Sequence, residues 1–145
     1  MQMNFKKLTA TAVTPTYGTN NSAGMDMYAE IPEGSVTVKA GETSFIGTGI
    51  VTAIPEGYVG LLFARSGLAC KSGLAPANKV GVIDADYRGE IKVALHNHTQ
   101  EDKTVNNHDR IAQLAIIPYL KVELNEVDDL EATDRGEGGF GSTGK

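Results

Sequence analysis

A chain of 145 residues has room for one domain, and at this size it can bury roughly 70% of its unfolded surface without staples. A net charge of −5, with Lys and Arg scattered and no tryptophan, argues against a nucleic-acid partner, whether a coated duplex or a stacked single strand. The single cysteine, Cys70, allows no intrachain disulfide, and neither a basic-plus-apolar leader nor an apolar stretch of membrane-spanning length is present, so a cytoplasmic location and no membrane contact are expected.

Helix signals are nearly absent, and 17 glycines punctuate the chain. Between them lie short runs rich in β-branched residues at 35–39, 44–54, 58–63, 90–96, 110–117 and 121–127. Run 90–96 puts Ile91, Val93 and Leu95 on one face, and 121–124 alternates as well. Many short strands at this spacing predict an all-β fold, a jelly-roll-like barrel or sandwich. One short helix is expected over Ser66–Ser72, where Ser66 can cap the following Leu-Ala-Cys-Lys run. Residues 1–127 then form the β-barrel core. Residues 128–145 hold only Leu130 and Phe140 as large apolar groups, so they read as a flexible C-terminal arm that orders only against something else.

Five segments carry chemistry. The first is Ala-Gly-Met-Asp-Met at 23–27. In the second, Ala-Arg-Ser-Gly-Leu-Ala at 64–69, a strand ends and a helix opens. Backbone N–H groups at such an end attract anions, and Arg65 can fork onto phosphate oxygens, although a capped helix with a surface Arg explains the segment equally well. The third is Gly-Val-Ile-Asp-Ala-Asp-Tyr-Arg-Gly at 81–89. Val80, Val82 and Ile83 suggest a buried strand leading into a hairpin tip, with Asp84 at the edge of the core and partly shielded from water. An ordinary aspartate is ionised at neutral pH and, if held in place, can take a proton from water as a general base. Asp84 and Asp86 are equally at home as plain turn residues. The fourth is Arg-Ile-Ala-Gln-Leu at 110–114.

The fifth, Arg-Gly-Glu-Gly-Gly-Phe-Gly-Ser-Thr-Gly at 135–144, imitates two phosphate-binding motifs. Gly136, Gly138 and Gly141 match a dinucleotide fingerprint, but the strand and helix it requires are missing. Gly139 to Lys145 matches most of a P-loop but lacks the following Ser/Thr and helix. What remains is a set of flexible amides around Gly141, with Arg135, Ser142 and Thr143 able to close over phosphates and Phe140 offering a flat face, or else a glycine-rich tail. His96, His98, His108 and Cys70 match no common zinc spacing.

In this order and spacing, the five segments together resemble the trimeric dUTP pyrophosphatase (dUTPase) family over nearly the whole chain. The resemblance implies a jelly-roll homotrimer in which each active site lies between subunits and is closed by one subunit's C-terminal arm. It implies hydrolysis of dUTP to dUMP and pyrophosphate with Mg²⁺, which limits uracil in DNA and supplies dUMP. Asp84 would activate the water that attacks the α-phosphorus, and Tyr87 would lie under the deoxyribose. Asn78 and the backbone of Val80, Gly81, Val82 and Ile83 would read uracil. Arg65, Ser66, Gly67 and Gln113 would hold phosphates, and Asp26 would help organise Mg²⁺ through water. Arg135, Gly141, Ser142 and Thr143 would cover the β- and γ-phosphates, and Phe140 would stack on uracil. Deoxycytidine triphosphate deaminases share this fold, but their chemistry needs an active-site Glu and a rearranged Arg-Ser motif. A non-enzymatic trimeric regulator is the other alternative, and an intact set of Asp84, Arg135 and Phe140 argues against it.

Overall fold

The structure is a computed structural model that describes residues 1–140. In chain order the described residues form β1 (Asn4–Lys7), β2 (Thr16–Tyr17), β3 (Met25–Tyr28), β4 (Ser35–Val38), β5 (Thr43–Gly47), β6 (Ile50–Ala53), β7 (Tyr58–Phe63), α1 (Ser66–Ser72), β8 (Leu74–Pro76), β9 (Gly81–Ile83), β10 (Lys92–Asn97), β11 (Lys103–Asn106) and β12 (Arg110–Pro118). The expected all-β, jelly-roll-like fold with one short helix is what these residues build. The largest sheet runs β2-β3-β12-β7-β9, a second runs β5-β10-β8, and β1-β6 and β4-β11 form two-stranded ribbons. Every pairing is antiparallel.

The period-two pattern explains β10. Ile91, Val93 and Leu95 are completely buried, while Lys92 between them is exposed. They share one core with Met27, Val38, Ile50, Leu74, Val105, Ile111 and Leu114, so all the sheets close around a single apolar interior. β12 is the spine of the large sheet, pairing with β3 on one side and β7 on the other. Pro118 ends it, having no N–H to give the ladder.

The structure corrects three expectations. Run 44–54 is two strands, because Gly49 turns the chain at φ +64, where a Cβ would also fall 2.7 Å from that of Ala12. Buried Thr48 completes the break by donating to the Ile91 carbonyl at 2.7 Å. Run 121–127 is not a strand. Val122 and Leu124 are 71% and 94% exposed, because one chain offers them neither a ladder nor a surface to bury. Ser66 does not cap α1. The chain enters the helix one residue earlier, with Arg65 extended as N-cap and its carbonyl already accepting from Ala69 at 2.9 Å.

One buried and one half-buried polar group tie loops to this core. Asn97 is fully buried; its Nδ2 donates to the carbonyls of Val38 (2.9 Å) and Glu101 (2.7 Å), and its Oδ1 accepts from the backbone N and hydroxyl of Thr99. Asn97→Ala would strand those partners. We expect a loss of at least about 1–3 kcal/mol, read as a lower urea midpoint at unchanged slope. Glu30 joins the N-terminal segment to the 29–31 loop, accepting from the hydroxyls of Thr9 and Thr11 at 2.6 Å each. These bonds, Thr11 first and then Thr9, hold its carboxyl below the usual range; burial pushes the other way, and His108 and Lys7 add to the lowering. A carboxylate with a depressed folded pKa stabilises above its unfolded value, and that stability is lost as pH falls through the folded value. The melting-temperature advantage of the native chain over Glu30→Gln should therefore be full at neutral pH and vanish in acid.

Candidate active site

The chemistry-bearing residues gather at two places on the large sheet. The first is the end where β7 runs into α1. Asp26 on β3 is buried at 6% exposure. Its Oδ1 accepts from Arg65 Nε at 2.8 Å and its Oδ2 from Arg110 Nη1 at 3.1 Å. Arg65 Nη1 also donates to the Arg110 carbonyl at 3.4 Å. One buried carboxylate thus fixes two guanidinium groups, and breaking such a pair from either side is costly because it strands the other charge. Gln113 on β12 lies opposite Asp26 on one side and Phe63 on the other, so ladder register sets Gln113 beside Asp26, and the ion pair adds Arg65. Beside them the first turn of α1 exposes Ser66 and Gly67, and nothing lies within 4 Å of where a Gly67 side chain would begin. The ensemble is a cationic shelf with free backbone N–H groups, suited to an anion.

Arg110 was not singled out as a site residue. The available signal was its place at the head of the fourth segment, but only the fold shows that it shares a carboxylate with Arg65.

The second place is β9 and the turn after it. Among the described residues β9 pairs only with β7, through Gly81↔Leu62, Val82↔Leu61 and Ile83↔Gly60, and is the outer strand of its sheet. Its other edge offers backbone N–H and C=O groups to a ligand. This corrects the reading of a buried strand: Gly81 is buried, but Val80 and Val82 are 37% and 62% exposed. Asp84 is likewise exposed in the single chain, not shielded. The segment is also no hairpin, because β9 belongs to the five-stranded sheet and β10 to the three-stranded one, and the 84–91 connection crosses between them.

That connection is well braced. Tyr87 N donates to the Asp84 carbonyl at 3.1 Å, and Arg88 Nη1 donates to the carbonyls of Ala85 (2.7 Å) and Tyr87 (2.9 Å). Tyr87 Oη donates to the Glu90 carbonyl at 3.0 Å. Asn78 lies in the tight turn before β9, its Nδ2 3.4 Å from where a Gly81 side chain would begin. Phe45, Val82, Ile83, Asp84, Tyr87 and Ile91 border an open pocket of about 370 Å³, large enough for a base and a sugar.

These two groups do not meet within one chain. Ile83 pairs with Gly60, whereas Gln113 pairs with Phe63, three residues and about 10 Å further along β7 at ~3.3 Å per residue. Asp84 continues from Ile83 away from that end. Asp84 and Tyr87 therefore stand at the opposite end of the sheet from Arg65, Asp26 and Gln113.

The described part of the fifth segment, residues 135–140, joins neither group. After Pro118 the described residues form no strand or helix, and nearly all are exposed. Arg135 Nε donates to the nearby Gly138 carbonyl at 2.8 Å, and Phe140 is fully exposed. Gly141, Ser142 and Thr143 lie outside the described residues.

A Mg²⁺ ion would find no protein cage. Among the described residues no three His, Cys, Asp or Glu side chains cluster as ligands, and both Asp26 oxygens are taken by arginines. With both oxygens held by arginines, Asp26 would not ligate such an ion directly and would meet it only through water.

The dUTPase family model matches residues 10–144. A deoxyuridine 5'-triphosphate nucleotidohydrolase of Syntrophotalea carbinolica is 49% identical over 139 residues, 96% of this chain and 94% of that one. Its counterpart in Nautilia profundicola is 46% identical over 145 residues, 100% of both chains. Among solved structures, a dUTPase of Staphylococcus bacteriophage 80alpha with dUpNHpp has a TM-score of 0.90 at 29% identity, covering 99% of each chain. A variant dUTPase from phage phi11 of S. aureus, whose structure details the coordination of a structural Mg(II) ion, has a TM-score of 0.80 at 27% identity, covering 91% of this chain and 100% of that one. The chain belongs to the dUTPase family. It is a nucleotide-hydrolysing enzyme of that family, a dUTP diphosphatase. Among the described residues no helix is long and apolar enough to cross a membrane.

Proposed function

We propose that this enzyme cleaves dUTP to dUMP and pyrophosphate with Mg²⁺, at sites assembled between the subunits of a homotrimer. The observation that carries the reading is the outer strand β9 leading into the turn that bears Asp84 and Tyr87, within a chain whose length matches the dUTPase family almost throughout. An unpaired strand edge presents donors and acceptors at fixed spacing, which is what imitation of a base-pairing partner requires. Uracil lies along Val80 to Ile83 with Asn78 beside it, and a thymine methyl would meet the wall. Tyr87 lies under the sugar and leaves no room for a 2′-hydroxyl.

In the reaction the Asp84 carboxylate takes the proton of a water as that water's oxygen bonds to the α-phosphorus. The bond from the α-phosphorus to the bridging oxygen breaks, and pyrophosphate leaves with the electron pair. Charge growing on the leaving group is met by Arg65, the amides of Ser66 and Gly67, and Gln113. Arg135, Gly141, Ser142 and Thr143 from the arm cover the β- and γ-phosphates, and Phe140 stacks on uracil. Asp26 would face the divalent cation through water, and such a cation, if bound, would supply further charge neutralisation in an acidic protein. The product would feed dUMP supply and keep uracil out of DNA, and a cytoplasmic location suits such a role.

The trimer is part of the proposal because one chain separates the base from the phosphate shelf. The exposed apolar side chains Leu120, Val122, Leu124 and Leu130 support it, since isolated they would be a liability and against a neighbour they are buried area. The test is pyrophosphate release from dUTP, dTTP, dCTP and UTP, with light scattering for mass. Turnover confined to dUTP at three chain masses is expected. Equal turnover of the four nucleotides would refute the activity, and an active monomer would refute the shared site.

A further inference from the structure

The ring of Tyr87 sits in a seat formed by the two residues that follow Arg88. Its hydroxyl is held by the Glu90 carbonyl. Its edge lies against Gly89: a Cβ there would crowd the Tyr87 hydroxyl oxygen and fall 2.5 Å from Cζ and 2.8 Å from Cε2. Gly89 is not among the glycines with positive φ, so alanine could adopt its backbone conformation. The missing side chain is required by space alone. The backbone has little freedom to yield, because Arg88 clamps two carbonyls of the turn and Tyr87 N is bonded to Asp84. Any side chain at 89 must therefore displace the ring.

We propose that Gly89 is a positioning residue for Tyr87, and that the absence of a Cβ at 89 together with the Glu90 carbonyl sets the enzyme's discrimination between deoxyribo- and ribonucleotides. This rests on the reading of Tyr87 as the residue beneath the deoxyribose. Tyr87 is 44% exposed and lies outside the apolar core, so moving it affects stability far less than it affects the sugar pocket. The effect belongs to the sugar pocket.

The experiment compares kcat and KM for dUTP and UTP, with melting temperature, in the full-length enzyme and in Gly89→Ala, Tyr87→Ala and the double variant. Gly89→Ala should raise KM for dUTP and cut the dUTP-over-UTP preference by about tenfold or more, toward the ~10²-fold loss that a misplacement near 1 Å can cause. Its melting temperature should not move. In the Tyr87→Ala background the same change has nothing to displace, so the double variant should match Tyr87→Ala alone. Tyr87→Phe, which keeps the ring and frees it from Glu90, should lose about two- to tenfold of the preference, the worth of one ordinary hydrogen bond. Native preference in Gly89→Ala or Tyr87→Phe, or additive effects in the double variant, would overturn the assignment while leaving the role of Tyr87 intact. Native preference in Tyr87→Ala would instead refute that role, and the positioning proposal with it.

Discussion

Asp84→Asn is expected to bind dUTP as the native enzyme does and to lose about 10²–10⁴-fold in turnover, the usual share of a positioned general base. The amide fills the same space but cannot take the proton of the attacking water. Binding should survive because the groups proposed to read uracil, the outer edge of β9 and Asn78, do not depend on the Asp84 carboxylate. The turn should survive as well, since it is held by Tyr87 N on the Asp84 main-chain carbonyl and by Arg88, neither of which uses the Asp84 side chain. Isothermal titration with a non-hydrolysable dUTP analogue, beside single-turnover kinetics, separates the two properties. Near-native turnover would move the base to another carboxylate. Asp86 is the nearer alternative, because both oxygens of Asp26 are occupied by arginines.

Removing residues 134–145 should cost at least about 10²-fold in turnover, the scale of losing one preorganised donor to developing charge, with little change in melting temperature or assembly. The described part of the deleted stretch makes only local bonds, Gly136 N to the Thr133 carbonyl and Arg135 to Gly138, and contributes nothing to the apolar core. The chemistry would lose an arginine over the terminal phosphates, an aromatic face on the base and the exclusion of water. Saturating dUTP should protect the intact arm from protease, and should do so better with Mg²⁺ than without. A truncated chain that falls to monomers would make the arm structural, and one that turns over normally would make it a bare tail.

Some of this was legible residue by residue. Ile91, Val93 and Leu95 announce a half-buried strand because β side chains alternate with period two, and the strand is there with all three completely buried. Strand 58–63 and helix Ser66–Ser72 were readable from apolar runs between breakers, and they have those bounds. Run 121–127 alternates just as well and is not a strand, because alternation states that a segment could pair and not that a partner exists. Val82 misled for a related reason. Val80, Val82 and Ile83 so close together suggest burial on both faces, but β9 lies at the rim of its sheet.

By itself the sequence determined the all-β character, the five segments and, through their coincidence, the family. Those are properties of residue type and local order, set by backbone preference, glycine placement and side-chain period. Only the tertiary structure decided which segments share a place. Ladder register sets Gln113 beside Asp26, and a single buried carboxylate gathers Arg65 and Arg110 from residues 45 positions apart. The same register carries Asp84 to the far end of the sheet from them. Pairing between distant strands depends on how the whole core closes, and no short stretch of residues encodes it. That is why Asp84 could be named from its motif as the candidate base, while its distance from the arginine shelf, and with it the physical case for proposing a site shared between subunits, came from the fold.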